Sequence, residues 1–205
     1  MSWPVSEIQE TYQKDFSLIE VRQRSLNRED ATSRIARLRE RIRDKVDSGR
    51  RLDILRQACD DVLGLNLPSA VEPRFYLRDF VLAEIERIGN DDLPRYLFYR
   101  YRYEIFPKRK TVDHFPPCLQ IEPSSICNYR CVFCYQTDPH FTQRDGEDMG
   151  FIKLDLFKRI VDQAEGNCEA VTLSSRGEPL MNPEIERMLN HVRGKFLALK
   201  LNTNA

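Results

Sequence analysis

The sequence predicts two parts of different class. Residues 1–115 read as an α-helical N-terminal domain, and residues 116–205 as an α/β region of three strands in a parallel sheet or barrel. Three observations carry this reading. Before Cys118 the apolar residues recur at intervals of three and four, the helical period. From Cys118 onward, strand-like runs alternate with helical ones, which implies parallel strands joined by crossover helices. Each of those runs also has one apolar and one polar face, where a central strand of an ordinary parallel sheet should be apolar on both.

The elements follow in order. Asn27 suits the N-cap of a first helix carrying Ile35, Leu38, Ile42 and Val46 and stopping before Gly49. A stripe this narrow buries little alone, so the helix should pack as a seam against a neighbour. A second helix is expected from about Leu52 to Leu63, ending at Gly64. A third begins after Pro73 with Leu77, Val81, Ile85 and Ile88 inward, and a fourth is capped by Asp91 or Asp92 with Pro94 in its first turn.

Between Arg95 and Lys110, aromatics mix with bases: Tyr96, Phe98, Tyr99, Tyr101, Tyr103 and Phe106 beside Arg100, Arg102, Lys108, Arg109 and Lys110. Aromatics with cations can hold single-stranded nucleic acid. The apolar spacing of Leu97, Phe98, Tyr101 and Ile105 instead favours one helix face packed on the next domain. Lys108 to Lys110, followed by Pro116 and Pro117, then reads as a linker.

In the second part, CLQIEPS is a strand, Leu154 to Ala164 a helix, AVTLSS a second strand, Pro183 to Val192 a helix, and FLALKLNTN a third strand. Leu119 and Ile121 oppose Gln120 and Glu122; Val171 and Leu173 oppose Thr172 and Ser174; Leu197, Leu199 and Leu201 oppose Ala198, Lys200 and Asn202. In a curved barrel the polar faces would line a lumen. The competing reading is three half-exposed strands.

Composition narrows the class. The 205 residues are 41% hydrophobic and 31% charged, a globular balance with a net charge of zero. Residues 1–113 carry 22 basic and 20 acidic side chains, and residues 114–205 carry 10 and 12, which argues against a dedicated nucleic-acid binder. The richer segment Arg34 to Arg51, with eight basic and three acidic groups, reads as a solvated helix face before a phosphate-binding stripe. No run approaches membrane-spanning length and the N-terminus lacks the shape of a signal peptide, so a cytoplasmic protein with six reduced cysteines is expected.

Three of those cysteines, Cys127, Cys131 and Cys134, fall within eight residues in CNYRCVFCY. Three thiolates on one loop suit a metal centre that keeps a coordination position open, whereas closed structural sites normally take four ligands. A zinc site with Cys118 or His140 as fourth ligand, or a Cys131–Cys134 redox pair, are the competing readings. Cys59 and Cys168 read as buried thiols, and His114 and His191 as surface or packing residues.

CNYRCVFCY, with its aromatic before the last cysteine, resembles the cluster-binding loop of radical S-adenosylmethionine (radical SAM) enzymes. SSRGEPLMNP resembles that family's GGEP motif on the second strand, and LKLNTNA its third strand with a Thr-Asn turn. The resemblance covers about Pro117 to Ala205, and it departs at Arg176, where many members have the first glycine. It implies a (β/α)6 barrel in which Cys127, Cys131 and Cys134 hold a 4Fe-4S cluster whose fourth iron takes the amino and carboxylate groups of S-adenosyl-L-methionine. Reductive cleavage would then give methionine and a 5′-deoxyadenosyl radical that abstracts hydrogen from substrate. Main chain beside Phe133 would contact the adenine, and Gly177, Glu178 and Pro179 would help hold the methionyl amino group.

An electron donor such as a flavodoxin or ferredoxin is implied, and a substrate that is a peptide, sugar or other small molecule, in keeping with the group bearing a cluster-binding SPASM extension. A strand–helix unit takes about 30 residues, so six need roughly 180. Pro117 to Ala205 therefore accommodates about three, and the expectation is a core truncated after its third strand and inactive alone. A non-catalytic iron–sulfur or zinc-binding module is the alternative function.

Overall fold

The computed structural model describes residues 26–45, 49–66, 73–142 and 149–204. The chain divides into two compact units, with the division between His114 and Phe115. Val46, expected on the first helix, lies outside the described residues, as do residues 1–25 of the expected helical domain.

The first unit is helical: α1 Arg28–Glu40, α2 Ile42–Lys45, α3 Arg50–Leu63, α4 Asp79–Arg87 and α5 Leu93–Ile105. Asn27 caps α1 by accepting the Asp30 amide at 2.8 Å. The expected single helix breaks at Arg41, whose backbone leaves the helical region (φ −106°, ψ 17°) before α2 resumes. α3 ends where Gly64 turns left-handed (φ 69°), a conformation that suits glycine. Leu77 is buried but precedes α4 rather than lying in it. The buried carboxylate of Asp61 accepts the Phe75 amide at 3.0 Å and so holds that stretch extended. Asp92 takes the N-cap position of α5 without a side-chain capping bond; its carboxylate meets Arg95 at 3.4 Å instead.

Leu97, Phe98, Tyr101 and Ile105 are buried, and Tyr101 meets Phe75 and Phe106 edge-on within this unit. An aromatic face so enclosed is not a stacking platform for bases. Three of the bases of α1 and α2 are also committed within the unit. Arg34 donates to Asn90 and to the carbonyls of Ile85 and Ile88, Arg39 pairs with Asp60 and Lys45 with Asp91. The Lys108–Lys110 stretch differs from the expected linker. Hydrogen bonds from Arg109 to Ile105, Lys110 to Pro107 and Thr111 to Phe106 wind it into turns that continue α5.

The second unit holds β1 Cys118–Ile121, α6 Leu154–Ala164, β2 Ala170–Leu173, α7 Ile185–Val192 and β3 Ala198–Leu201. The strands form a parallel sheet in the order β1-β2-β3, with Ile121 level with Leu173 and Leu173 with Leu201. The pairing follows from the crossover connections: a helix between strands returns the chain to the same end of the sheet. The two-faced strand pattern is realised. Ile121, Val171 and Leu173, joined by the partly buried Leu119, Leu199 and Leu201, meet Phe157 and Val161 of α6 and Met188 and Val192 of α7. Gln120 and Lys200 lie exposed on the opposite face. Pro183 falls ahead of α7 rather than in its first turn. Among the described residues, no helix is long and apolar enough to cross a membrane.

Candidate functional site

Because the strands are parallel, all three deliver their following loops to one edge of the sheet, where ligands of α/β proteins gather. The loop after β1 carries Cys127, Cys131 and Cys134, the loop after β2 carries Gly177 to Pro179, and β3 runs into Thr203 and Asn204. Hydrogen bonds tie these three segments together.

Gly177 is wedged against the chain that leads into the first cysteine. Its amide donates to the Ser124 carbonyl at 3.1 Å, and the Glu178 amide to that of Ile126 at 2.9 Å. A Cβ on Gly177 would lie 2.3 Å from the Ser124 oxygen and 2.5 Å from that of Ile126. The close approach expected of this glycine is thus made to the protein's own backbone.

Glu178 is the hub of the site. Its side chain is buried, with 4% of the residue exposed. Oε1 accepts the Thr203 hydroxyl at 2.7 Å and the Leu180 amide at 2.9 Å, and Oε2 accepts the Asn204 amide at 2.7 Å. Burial alone would raise its pKa, but the hydrogen bonds from Asn204, Leu180 and Thr203 outweigh it and hold the carboxyl below its ordinary value. With both oxygens engaged by protein donors, Glu178 is an organiser of the loops rather than a general base.

Asn204 carries the connection on to the cysteines: its side-chain amide donates to Cys127 Sγ at 3.6 Å and to Asn128 Oδ1 at 3.2 Å. Cys127, Cys131 and Cys134 are free thiols, each partly exposed. The Cys134 amide bonds the Cys131 carbonyl at 2.9 Å, which makes a turn of this part of the loop. Among the described residues, no three His, Cys, Asp or Glu side chains converge tightly enough to form a metal site. The soft donors are therefore presented on one loop without being drawn to one point. Cys118 starts β1 while the cysteine loop leaves its other end, so it is poorly placed as a fourth ligand. Phe133 is 90% exposed at the loop tip, beside the equally open Val132.

Several residues that hold the site together carry no motif. Arg176, in place of the family's first glycine, grips Glu122: Nε lies 3.1 and 3.2 Å from the two carboxylate oxygens, Nη2 3.1 Å from Oε1, and the Arg176 amide 3.0 Å from Oε2. Burial works against the charge on Glu122, yet these bonds keep its pKa below the ordinary value. Asn182 is buried and donates to the carbonyls of Pro123 (2.7 Å) and Ile152 (3.3 Å), while accepting the Glu184 amide ahead of α7 (2.9 Å). Gln136, also buried, donates to the Ser125 carbonyl. No local pattern announces the Asn182 contacts, since Pro123 and Ile152 lie 59 and 30 residues away.

Residues 121–205 match the family model described as the Radical SAM superfamily. Residues 121–205 are thus a radical SAM segment. Among curated proteins, it is 31% identical over 108 residues to an S-adenosyl-L-methionine-dependent tRNA 4-demethylwyosine synthase of Arabidopsis thaliana, covering 43% of this chain and 17% of that protein. It is 33% identical over 88 residues to a tungsten-containing aldehyde ferredoxin oxidoreductase cofactor-modifying protein of Pyrococcus furiosus, covering 42% of this chain and 23% of that one. The chain thus aligns with 17% and 23% of the lengths of these relatives. No solved structure matches it significantly.

Proposed function

We propose that this chain carries the cluster- and cofactor-binding part of an enzyme that cleaves S-adenosyl-L-methionine reductively. One observation supports this most: the three segments that resemble family motifs are bonded to one another through Gly177, Glu178 and Asn204 at one edge of the parallel sheet. The donor chemistry fits a 4Fe-4S cluster. Cys127, Cys131 and Cys134 are free, partly exposed thiols on one loop, and three thiolates leave one iron for a small-molecule ligand.

When bound, the cluster and S-adenosyl-L-methionine would supply one-electron cleavage of the sulfonium to methionine and a 5′-deoxyadenosyl radical, which takes hydrogen from the substrate. The protein's own part is to hold and exclude. Phe133 offers an open ring and adjoining main chain to an adenine, the Gly177–Pro179 segment borders the same loop, and the polar strand face (Gln120, Thr172, Ser174, Lys200 and Asn202) offers hydrogen-bonding groups toward a bound substrate. An external reductant of the flavodoxin or ferredoxin kind would deliver the electron.

Electron paramagnetic resonance of the chain, reconstituted anaerobically with iron and sulfide and reduced with dithionite, tests the proposal. A cluster signal should appear and change when S-adenosyl-L-methionine is added, and a Cys127→Ala chain should show neither the signal nor the change. A signal unaffected by that substitution would overturn the reading.

A further inference from the structure

Beyond linking the segments, Asn204 reaches a proposed cluster ligand with its side chain from a different part of the chain. It sits just past β3, its backbone amide bound at 2.7 Å by Glu178 Oε2 and its side-chain amide 3.6 Å from Cys127 Sγ, within reach for an N–H···S hydrogen bond. The second Nδ2 contact, to Asn128 Oδ1 at 3.2 Å, holds the amide toward the cysteine loop. The carboxylate, the turn and the thiol therefore form one chain of bonds spanning three segments: Glu178 fixes the Asn204 backbone, and Asn204 reaches the sulfur.

We infer that Asn204 is a positioning residue for the cluster, donating a hydrogen bond to the Cys127 sulfur and so setting its reduction potential, with Glu178 holding Asn204 in place. The inference rests on the proposed function, since it requires Cys127 to be an iron ligand. Reduction adds electron density to the cluster sulfurs, and a donor aimed at a ligand sulfur stabilises the reduced state more than the oxidised one. Hydrogen bonds to sulfur are among the levers that set iron–sulfur potentials, and partners that orient metal ligands also affect metal retention.

Glu178 matters because it accepts where an amide could not. A Gln at 178 retains one acceptor oxygen for Thr203 and Leu180 but presents an NH2 to the Asn204 amide, donor against donor. Thr203 provides the contrast: its hydroxyl bonds Oε1 of Glu178, whereas the Asn204 amide bonds Oε2, so losing that hydroxyl leaves the Asn204 bonds standing.

The test is a potentiometric titration, followed by electron paramagnetic resonance, of iron- and sulfide-reconstituted wild-type, Asn204→Ala, Glu178→Gln and Thr203→Val chains. Asn204→Ala and Glu178→Gln should shift the midpoint to more negative potential and lose iron faster to a chelator, while Thr203→Val stays near wild type. A wild-type potential and chelation rate in Asn204→Ala overturns the inference, as does an equal shift in Thr203→Val. If Asn204→Ala takes up too little iron to titrate, the circular dichroism of the cluster-free chain decides. A native spectrum supports a lost anchor. With a non-native one, Glu178→Gln decides: a shifted potential supports the inference and an unshifted one overturns it. A wild-type chain that binds no iron fails the proposed function itself, an outcome distinct from iron bound at an unshifted potential.

Discussion

Gly177 is the residue with least freedom in the site. A methyl group there would fall well inside contact distance of the Ser124 and Ile126 carbonyl oxygens, and these are backbone atoms that cannot rotate away. Gly177→Ala should cost about 1–3 kcal/mol through overpacking, read as a lower urea midpoint. An unchanged midpoint would mean that the Ser124–Ile126 backbone moves freely. Glu178 gives a pH signature. Its pKa is lower folded than unfolded, so its stabilisation is present above the unfolded value and is lost as pH falls through the folded one. The stability gap between wild type and Glu178→Gln, followed by urea unfolding across an acid series, should therefore be widest near neutrality and narrow on acidification. A gap independent of pH would show that the carboxylate charge contributes nothing. Cys127, Gly177 and Glu178 are legible in the sequence, through the cysteine spacing and the Gly-Glu-Pro run. The partners of Arg176 and Asn204 are not, because Glu122 lies 54 residues from Arg176 and Cys127 lies 77 residues from Asn204. A single sequence contains no local pattern for pairs so distant.

The elements follow their periodicity closely where packing and pattern agree. α6 buries Leu154, Phe157, Val161 and Ala164, the helical stripe visible in the sequence, and the three strands pair in chain order. Expectation and structure part company where a side chain or a turn overrides the period. The Asp61 carboxylate keeps Phe75 and Leu77 extended ahead of α4, and turn bonds draw Lys108 to Lys110 into a continuation of α5. Asn182 is the clearest case of a side chain acting on elements, since it joins the chain after β1, the chain ahead of α6 and the approach to α7. Asn182→Ala removes one of the two donors to the Pro123 carbonyl, which keeps the Ile152 amide, and the Asn182 bond to the part-buried Ile152 carbonyl. It should destabilise the second unit by about 1–3 kcal/mol, measured by denaturant unfolding. Asn182→Asp, which offers those carbonyls no donor and adds a charge, should cost at least as much. A neutral result for both would remove Asn182 from the framework of the site.

At the scale of the molecule, the α/β class and the two-faced strands are readable because side-chain alternation survives in any sheet that buries one face. The assembly of the loops is not readable in that way. The sheet edge brings together three segments that are far apart in the chain, and bonds through a glycine, a glutamate and an asparagine connect them. What the cysteine loop binds decides the function of this edge. Anaerobic reconstitution with iron and sulfide, with iron, sulfide and zinc quantified in wild type and in the Cys127→Ala/Cys131→Ala/Cys134→Ala chain, addresses it most directly. We expect about four irons and four sulfides per wild-type chain, an oxygen-sensitive brown absorbance, and loss of nearly all of it in the triple variant. One zinc without sulfide, or iron and colour retained by the triple variant, would contradict a cluster held by these three cysteines.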